Sequence, residues 1–340
     1  MRGFRLAGLL FLIALVLFLW KDLYLAPPHS QKKALIYTSH SKAQAVASSL
    51  TGGPAGEITV RNSLEETLAE LNVTVDTITS DEAFHSKKSL RDYDFVFFDP
   101  CTWAKDWYQN MWEPTKVLKG FPPSRIYILD YFGAPNRREM EGKLDVPYKN
   151  FLTAYRSPWN NTFLGYFLPA SIVKSSAPRK RNQGVIWGKE SRNLNRSISL
   201  IKHLADRVRL VAVVPPLFEH PNITWIGHMD KSRWQNLLAQ SKFLLGIGDP
   251  LIGPSAIEAI ALGCTFINPT YKEPYLGYMS QHPVPQLLSP ERVCNYPHGD
   301  ELKALECVNQ AMKKTFDPFI PKEFTKEEYT RRVKHILKLK

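Results

Sequence analysis

Along the chain, short apolar runs alternate with longer stretches in which apolar residues recur at helical spacing. Ala34–Tyr37, Val73–Ile78, Phe95–Phe98 and Arg125–Leu129 read as strands. Runs this short, nearly continuous in apolar character and closed by Asp, Pro or Gly, are the pattern of strands covered on both faces. Helices read between them, over 42–50 and from Ser63 to Leu71, where Ser63 and Glu66 stand at capping-box spacing. Residues 133–182 interrupt the alternation with Pro, Asn and basic residues. It resumes with a strand at Gly184–Trp187, a helix at Ile198–Leu204, strands at Val208–Val214 and Ile223–Ile226, and a helix at Trp234–Gln240. Helices over 301–314 and 325–339 close the chain. Strand–helix–strand alternation predicts the α/β class, with two facing Rossmann-like domains over 34–170 and 183–324. A linker over 171–182 joins them, and a C-terminal helix over 325–340 follows.

The densest signal lies at 243–269. Phe243–Ile247 is an apolar run ended by Gly248, Asp249 and Pro250. Gly253-Pro254-Ser255 then opens a helix through Leu262, Gly263 ends it, and Cys264–Ile267 is a second buried run. Proline suits a first helical turn and glycine a C-terminal stop, so this is one βαβ unit. A helix N-terminus offers unpaired N–H groups and partial positive charge, which suits phosphate. Glu258, one turn in, stands where a ribose behind that phosphate would lie. On spacing alone, an ordinary βαβ unit with a solvated glutamate explains the stretch equally well.

Two other stretches carry candidate chemistry. Gly52, Gly53 and Gly56 make Gly-Gly-Pro-Ala-Gly-Glu (52–57) a loop that lets a ligand approach the backbone. Glu57 at its edge is a candidate general base; the alternative is a solvated surface turn. Lys189 follows the first strand of the second domain, where an ammonium can pair with a diphosphate, or be a surface lysine beside Glu190. Asp92-Tyr93-Asp94 matches the spacing of a metal-binding acidic pair, but it precedes its strand, whereas ligands in such sheets bind beyond the C-terminal strand ends. No metal site is expected.

Composition narrows the compartment more than the chemistry. The 340 residues carry a formal net charge of +12 and 44% hydrophobic residues. Basic charge suits phosphorylated ligands or a membrane surface, and no nucleic-acid-binding signature accompanies it. Arg2 and Arg5 precede Leu6–Trp20, an uncharged apolar run. A cleaved signal peptide and a membrane anchor compete for that run. The absence of a clean small-residue cleavage site, together with Trp20 and Tyr24 at the boundary, favours an anchor over 6–20 with a cytosolic tail 1–5, a short stem 21–33 and a lumenal body. Asn72, Asn160, Asn195 and Asn222 each open an N-x-[ST] sequon. In an oxidising lumen, Cys294 and Cys307 stand close enough in sequence for a disulfide; the alternative leaves Cys294 free and Cys307 packed as a small hydrophobe. Cys101 and Cys264 are expected to be reduced.

The motifs also carry a resemblance. Gly246-x-Gly248, Pro250, Gly253-Pro254, Glu258-Ala259-Ile260-Ala261, Gly263-Cys264 and Asn268-Pro269 are similar to the donor-nucleotide site of glycosyltransferase family 18. Gly52-Gly53-Pro54-x-Gly56-Glu57 resembles the segment that holds that family's catalytic base. Leu129-Asp130-x-Phe132-Gly133, Asn161–Gly165, Gly188-Lys189, Ser280–Pro283 and Pro321-x-Glu323-Phe324-Thr325 match in order, over roughly 34–335. The chain departs from the family at Ile252, where the family carries an acidic residue, and in a shorter 270–280 segment with Lys272 as the nearest counterpart of a family lysine.

The resemblance implies a GT-B-type fold and an inverting, metal-independent transfer of GlcNAc from UDP-GlcNAc to the 6-hydroxyl of an α-1,6-linked mannose of an N-glycan. UDP-GlcNAc is then a substrate, and no cofactor is implied. Glu57 would be the base, Lys189 and the Gly253-Pro254-Ser255 helix start would hold the diphosphate, and Glu258 the ribose. The implied partners are UDP-GlcNAc, N-glycans on glycoproteins and, through the anchor, a Golgi membrane; nucleic acid is not among them. A lumenal GT-B transferase with another acceptor and an inactive glycan-binding relative are the alternatives.

Overall fold

The computed structural model describes residues 31–38, 55–79, 90–98, 121–131, 146–157, 159, 161–174 and 181–339. The expected anchor over 6–20, the helix over 42–50, Gly52, Gly53, Cys101 and Asn160 lie outside these residues. Among the described residues no helix is long and apolar enough to cross a membrane.

Two sheets organise the chain. The first is formed by β1 (Lys33–Thr38), β2 (Thr74–Thr79), β3 (Phe95–Phe98), β4 (Ile126–Asp130), β5 (Phe151–Thr153) and β6 (Thr162–Phe163) in the order β2-β1-β3-β4-β5-β6, parallel throughout. The second contains β7 (Gln183–Ile186), β8 (Arg209–Ala212), β9 (Ile223–Trp225), β10 (Phe243–Leu245), β11 (Thr265–Tyr275), β12 (Tyr278–Ser280) and β13 (Val293–Pro297). Its order is β12-β11-β10-β7-β8-β9, with β13 parallel to β11 and β12 antiparallel to it.

Both central strands are covered on both faces, as their apolar runs require. In β3, Phe95 and Phe97 enter one core and Val96 and Phe98 the opposite one; in β10, Leu244 faces one core and Phe243 and Leu245 the other. One of these cores is continuous between the domains: Ala34 and Phe97 of the first sheet share it with Val185, Ile257 and Phe266 of the second.

Local signals were overruled in three places. The Gly-Gly-Pro-Ala-Gly-Glu stretch does not stay a loop up to Glu57, because a helix already begins at Ala55 and runs to Glu70. Ser63 therefore lies in mid-helix, not at a cap; its Oγ donates to Thr59 O at 2.9 Å. The physical reason is the stripe Val60, Leu64 and Leu68, all buried at i, i+4, i+8 against the sheet. Burying such side chains contributes roughly 1.5–3 kcal/mol each, more than a cap. Residues 151–153 and 162–163, read within an irregular stretch, add two parallel strands to the first sheet. Residues 293–297, outside every strand expected from the sequence, pair with β11; the new strand carries Cys294 towards the Glu301–Lys313 helix.

The C-terminal helix, Lys326–Leu337, returns to the first domain. Lys326 pairs with Glu66 at 2.6 Å and also with Glu70. Arg332 Nε donates to Leu164 O at 2.8 Å, its Nη2 to Glu323 O at 2.7 Å, and the guanidinium covers the Phe163 ring at 4.6 Å. A planar donor fork that satisfies two carbonyls and an aromatic face is a strong clasp.

Candidate active site

The order of the second sheet places a site before any residue is considered. β7 lies between β8, which follows it in the chain, and β10, which the chain reaches only after β9, so the strand order reverses at β7. Ligands in open parallel sheets bind beyond the C-terminal strand ends at such a switch point. β7 leads into Trp187-Gly188-Lys189, and β10 into Gly246–Pro250. A cleft of about 270 Å³ opens there, and the first domain closes its other wall with Gly56, Glu57, Thr59, Tyr131, Ala154 and Tyr155.

The β10 loop is shaped by one buried side chain. Gln281 Oε1 accepts from the Gly248 N–H at 2.9 Å, and its Nε2 donates to Pro250 O at 2.8 Å. The Ile252 N–H donates to Gln281 O at 3.1 Å. A Cβ at Gly246 would stand 2.4 Å from Gln281 Oε1, and Gly248 has φ 98°, so the Gly-x-Gly spacing is set by this packing. Ile252, where the family motif carries an acid, is buried and adopts φ 43°. The loop delivers the chain to the Pro254–Ala261 helix, whose Gly253 cap makes no side-chain bond to its first N–H groups. That end of the helix lines the cleft, and free N–H groups of this kind suit an anion.

Glu258 is not solvated. It is 3% exposed, and its Oε2 accepts from Trp234 Nε1 at 3.1 Å. Its Oε1 stands 3.2 Å from Lys231 Nζ as an ion pair, without completing a hydrogen bond. Lys231 Nζ also donates to Thr59 Oγ1, 3.0 Å away on the first domain. Lys231, Trp234 and Thr59 carry no motif, so spacing in the sequence did not single them out; only packing brings them to Glu258.

Glu57 lies in the first turn of its helix and lines the cleft, as do Gly56, Lys189, Gly253, Pro254, Ser255 and Glu258. These expected site residues, drawn from separate parts of the chain, thus share one wall-to-wall cavity. Two helix starts meet across it: a Cβ at Gly56 would be 3.1 Å from Pro254 Cδ. Lys189 belongs to a turn tied by Asn193, whose Oδ1 accepts from the Lys189 and Glu190 N–H groups. Asn193 Nδ2 donates to Asp249 at 2.6 Å, linking that turn to the β10 loop.

Behind the loop, His282 is fully buried beside the Gly253 backbone, between the rings of Trp187 and Tyr155. Burial pushes its pKa down to about 3, so the ring is neutral.

The remaining expected residues lie elsewhere. Asp94 is paired with Lys32 at 2.6 Å and Tyr93 donates to Asp76, so the acidic pair at 92–94 belongs to the opposite strand end. Among the described residues no group of three or more His, Cys, Asp or Glu is arranged to hold a metal. Asn72 is exposed at a turn with φ 57°, and Asn195 is exposed at the end of a short helix. Asn222 is half-buried and its amide donates to Ala205 O at 2.9 Å. Cys294 and Cys307 form a disulfide with Cα atoms 5.6 Å apart, while Cys264 is buried outside any disulfide and its thiol donates to Leu238 O at 3.0 Å.

Comparison with known proteins agrees with this architecture. The chain is 23% identical over 345 residues to an alpha-1,6-mannosylglycoprotein 6-beta-N-acetylglucosaminyltransferase of Caenorhabditis elegans, covering 84% of this chain and 50% of the relative. It is 23% identical over 353 residues to the A form of that enzyme from Homo sapiens, covering 89% and 47%. The chain spans about half the length of the curated relatives it matches. Among solved structures, AviGT4, a glycosyltransferase involved in avilamycin A biosynthesis, superposes with a TM-score of 0.50 at 16% identity, over 90% of this chain and 93% of that one. An alpha-glucosyltransferase in complex with UDP and a DNA 13-mer gives 0.51 at 10% identity, over 91% and 96%. These two show the fold, a GT-B arrangement of two parallel-sheet domains. The profile of Glycosyltransferase family 18 matches residues 115–340, and the chain belongs to that family.

Proposed function

We propose that this protein is an inverting N-acetylglucosaminyltransferase that uses UDP-GlcNAc and adds GlcNAc to the 6-hydroxyl of an α-1,6-linked mannose on N-glycans. The observation that carries the reading is the cleft itself. A carboxylate of one domain, Glu57, shares it with an open helix N-terminus and a buried carboxylate, Glu258, of the other. Family membership and the relatives' names support the sugar and the acceptor.

In this reading, Glu57 takes the proton of the attacking hydroxyl as that oxygen bonds to the anomeric carbon. The bond from that carbon to the diphosphate oxygen breaks on the opposite face, which inverts the centre. Charge gathers on the leaving diphosphate, where the N–H groups that follow Pro254, from Ser255 onward, and the Lys189 ammonium stabilise it. These groups provide the electrophilic assistance, so the transfer is read as metal-independent. Glu258 accepts from the ribose hydroxyls, with Lys231 and Trp234 fixing its orientation. The basic, sequon-bearing chain with its apolar N-terminal run is read as a single-pass type II Golgi membrane protein with a lumenal catalytic body.

Turnover of UDP-GlcNAc tests this directly. Purified protein should release UDP faster when N-glycans with a terminal α-1,6-linked mannose arm are added, and excess EDTA should leave the rate unchanged. Acceptor-independent UDP release, or none, would overturn the transferase reading. Activity on a different glycan of the panel would replace only the acceptor.

A further inference from the structure

Tyr155 follows β5 on the first domain and lines the cleft while only 5% exposed. Its hydroxyl oxygen is buried and completes no hydrogen bond among the described residues. The Tyr166 hydroxyl approaches it as a donor without reaching full hydrogen-bond geometry, which leaves the Tyr155 proton itself without an acceptor among the described residues. Tyr155 also lies close enough to feel the charges of both Glu57 and Glu258, the two carboxylates of the cleft, without being bonded to either. Its ring meets that of His282 edge-on at 4.7 Å, and His282 lies beside the backbone of Gly253, the residue that caps the Pro254–Ala261 helix. The Tyr155 ring is therefore fixed near the start of that helix, on a wall that belongs to the other domain.

Burying an O–H without an acceptor is a standing cost in the unliganded protein, relieved only when something in the cleft accepts from it. Burial holds the phenol well above its ordinary pKa, so it remains a donor. A neutral donor next to the helix N–H groups suits an anionic oxygen. Tyr166 is the natural comparison: its ring stands 6.0 Å from that of Tyr155, its hydroxyl is also buried without a completed bond, and it does not line the cleft.

We propose that the Tyr155 hydroxyl binds the diphosphate of the nucleotide-sugar donor, donating a hydrogen bond to a phosphate oxygen held at the Pro254 helix start. The proposal rests on the donor reading given above. It makes Tyr155 the first domain's own contact to the leaving group, so that donor binding draws the two domains together.

Calorimetric titration of the detergent-solubilised chain with UDP and with uridine tests it, alongside thermal unfolding without ligand. Tyr155→Phe is expected to weaken UDP binding at least fivefold, with uridine binding unchanged and the unliganded Tm equal to or above that of the wild type. Tyr166→Phe should keep UDP affinity. A loss under fivefold for Tyr155→Phe, an equal loss for UDP and uridine, or a lower unliganded Tm would overturn the assignment, the last because it would reveal a structural partner. Absence of UDP binding by the wild type would instead defeat the donor reading, and this assignment with it.

Discussion

Lys231 of the second domain reaches across the cleft to Thr59 of the first, Nζ to Oγ1 3.0 Å, while standing 3.2 Å from Glu258. One ammonium thus neutralises the buried carboxylate and ties down the helix that carries Glu57. Removing it leaves an acid without its countercharge. Because Lys231 is itself half-exposed, the loss is set below that of a fully buried pair, at about 1–2 kcal/mol. Lys231→Met is expected to lower Tm by several degrees, and adding Glu258→Gln should recover most of it. Additive losses in the double variant would show that the two residues are not coupled.

Glu57→Gln is expected to keep the fold and UDP affinity while turnover falls ~100-fold or more, the usual worth of a positioned base. Steady-state kinetics with saturating donor and acceptor check this. Turnover within a few-fold of wild type would return Glu57 to an ordinary helix surface.

The approach of Gly56 to Pro254 makes a steric prediction. A Cβ at Gly56 already meets Pro254 Cδ at 3.1 Å, and the branches of valine add two more carbons at that contact. Gly56→Val should hold the two helix starts apart and cut turnover at least tenfold, while the separate sheets keep Tm within a few degrees. Unimpaired turnover would mean that the contact is not needed for closure.

His282 predicts a pH dependence of stability. Burial lowers its pKa from the ordinary value to about 3 in the folded protein. Between there and the unfolded value of about 6.5 the unfolded chain binds more protons, so stability is full above pH ~6.5 and falls as the medium is acidified. The expected slope from this group is about 1.4 kcal/mol per pH unit. Thermal unfolding from pH 7.5 to 4.5 should show a shallower decline in His282→Gln than in wild type. Parallel curves would exclude His282 as the source.

The Cys294–Cys307 bridge closes a short loop, with a sequence separation of 13. Loops of that size contribute about 3 kcal/mol by restricting the unfolded chain. Cys294→Ser with Cys307→Ser is expected to lower Tm by several degrees with the donor site, on other elements, unaffected. Free alkylation of both thiols in unreduced protein would rule the bridge out.

Much of the fold was legible in sequence, because parallel strands buried on both faces must be almost wholly apolar. β1, β3, β4, β7 and β10 announce themselves for that reason. The Phe243–Ile267 unit was legible for a second reason: Pro254 at the helix start and Gly263 at its end are local backbone requirements, readable without knowing the neighbours. β5, β6 and β13 were not legible. Pairing with the strands beside them makes them strands more than their composition does.

The same division holds for the site. The chain's own order determined that Glu57, Lys189, the Pro254 helix start and Glu258 were the chemically notable groups. Only the tertiary structure decided that the Gly-rich stretch turns helical before Glu57, because the buried Val60–Leu64–Leu68 stripe outweighs the local Ser63 cap signal. It alone decided that Glu258 is held by Lys231 and Trp234, that Gln281 shapes the β10 loop, and that Tyr155 and His282 meet across the domain boundary. Those contacts join residues far apart in sequence and depend on how two sheets dock, which no local pattern of apolar and polar positions encodes.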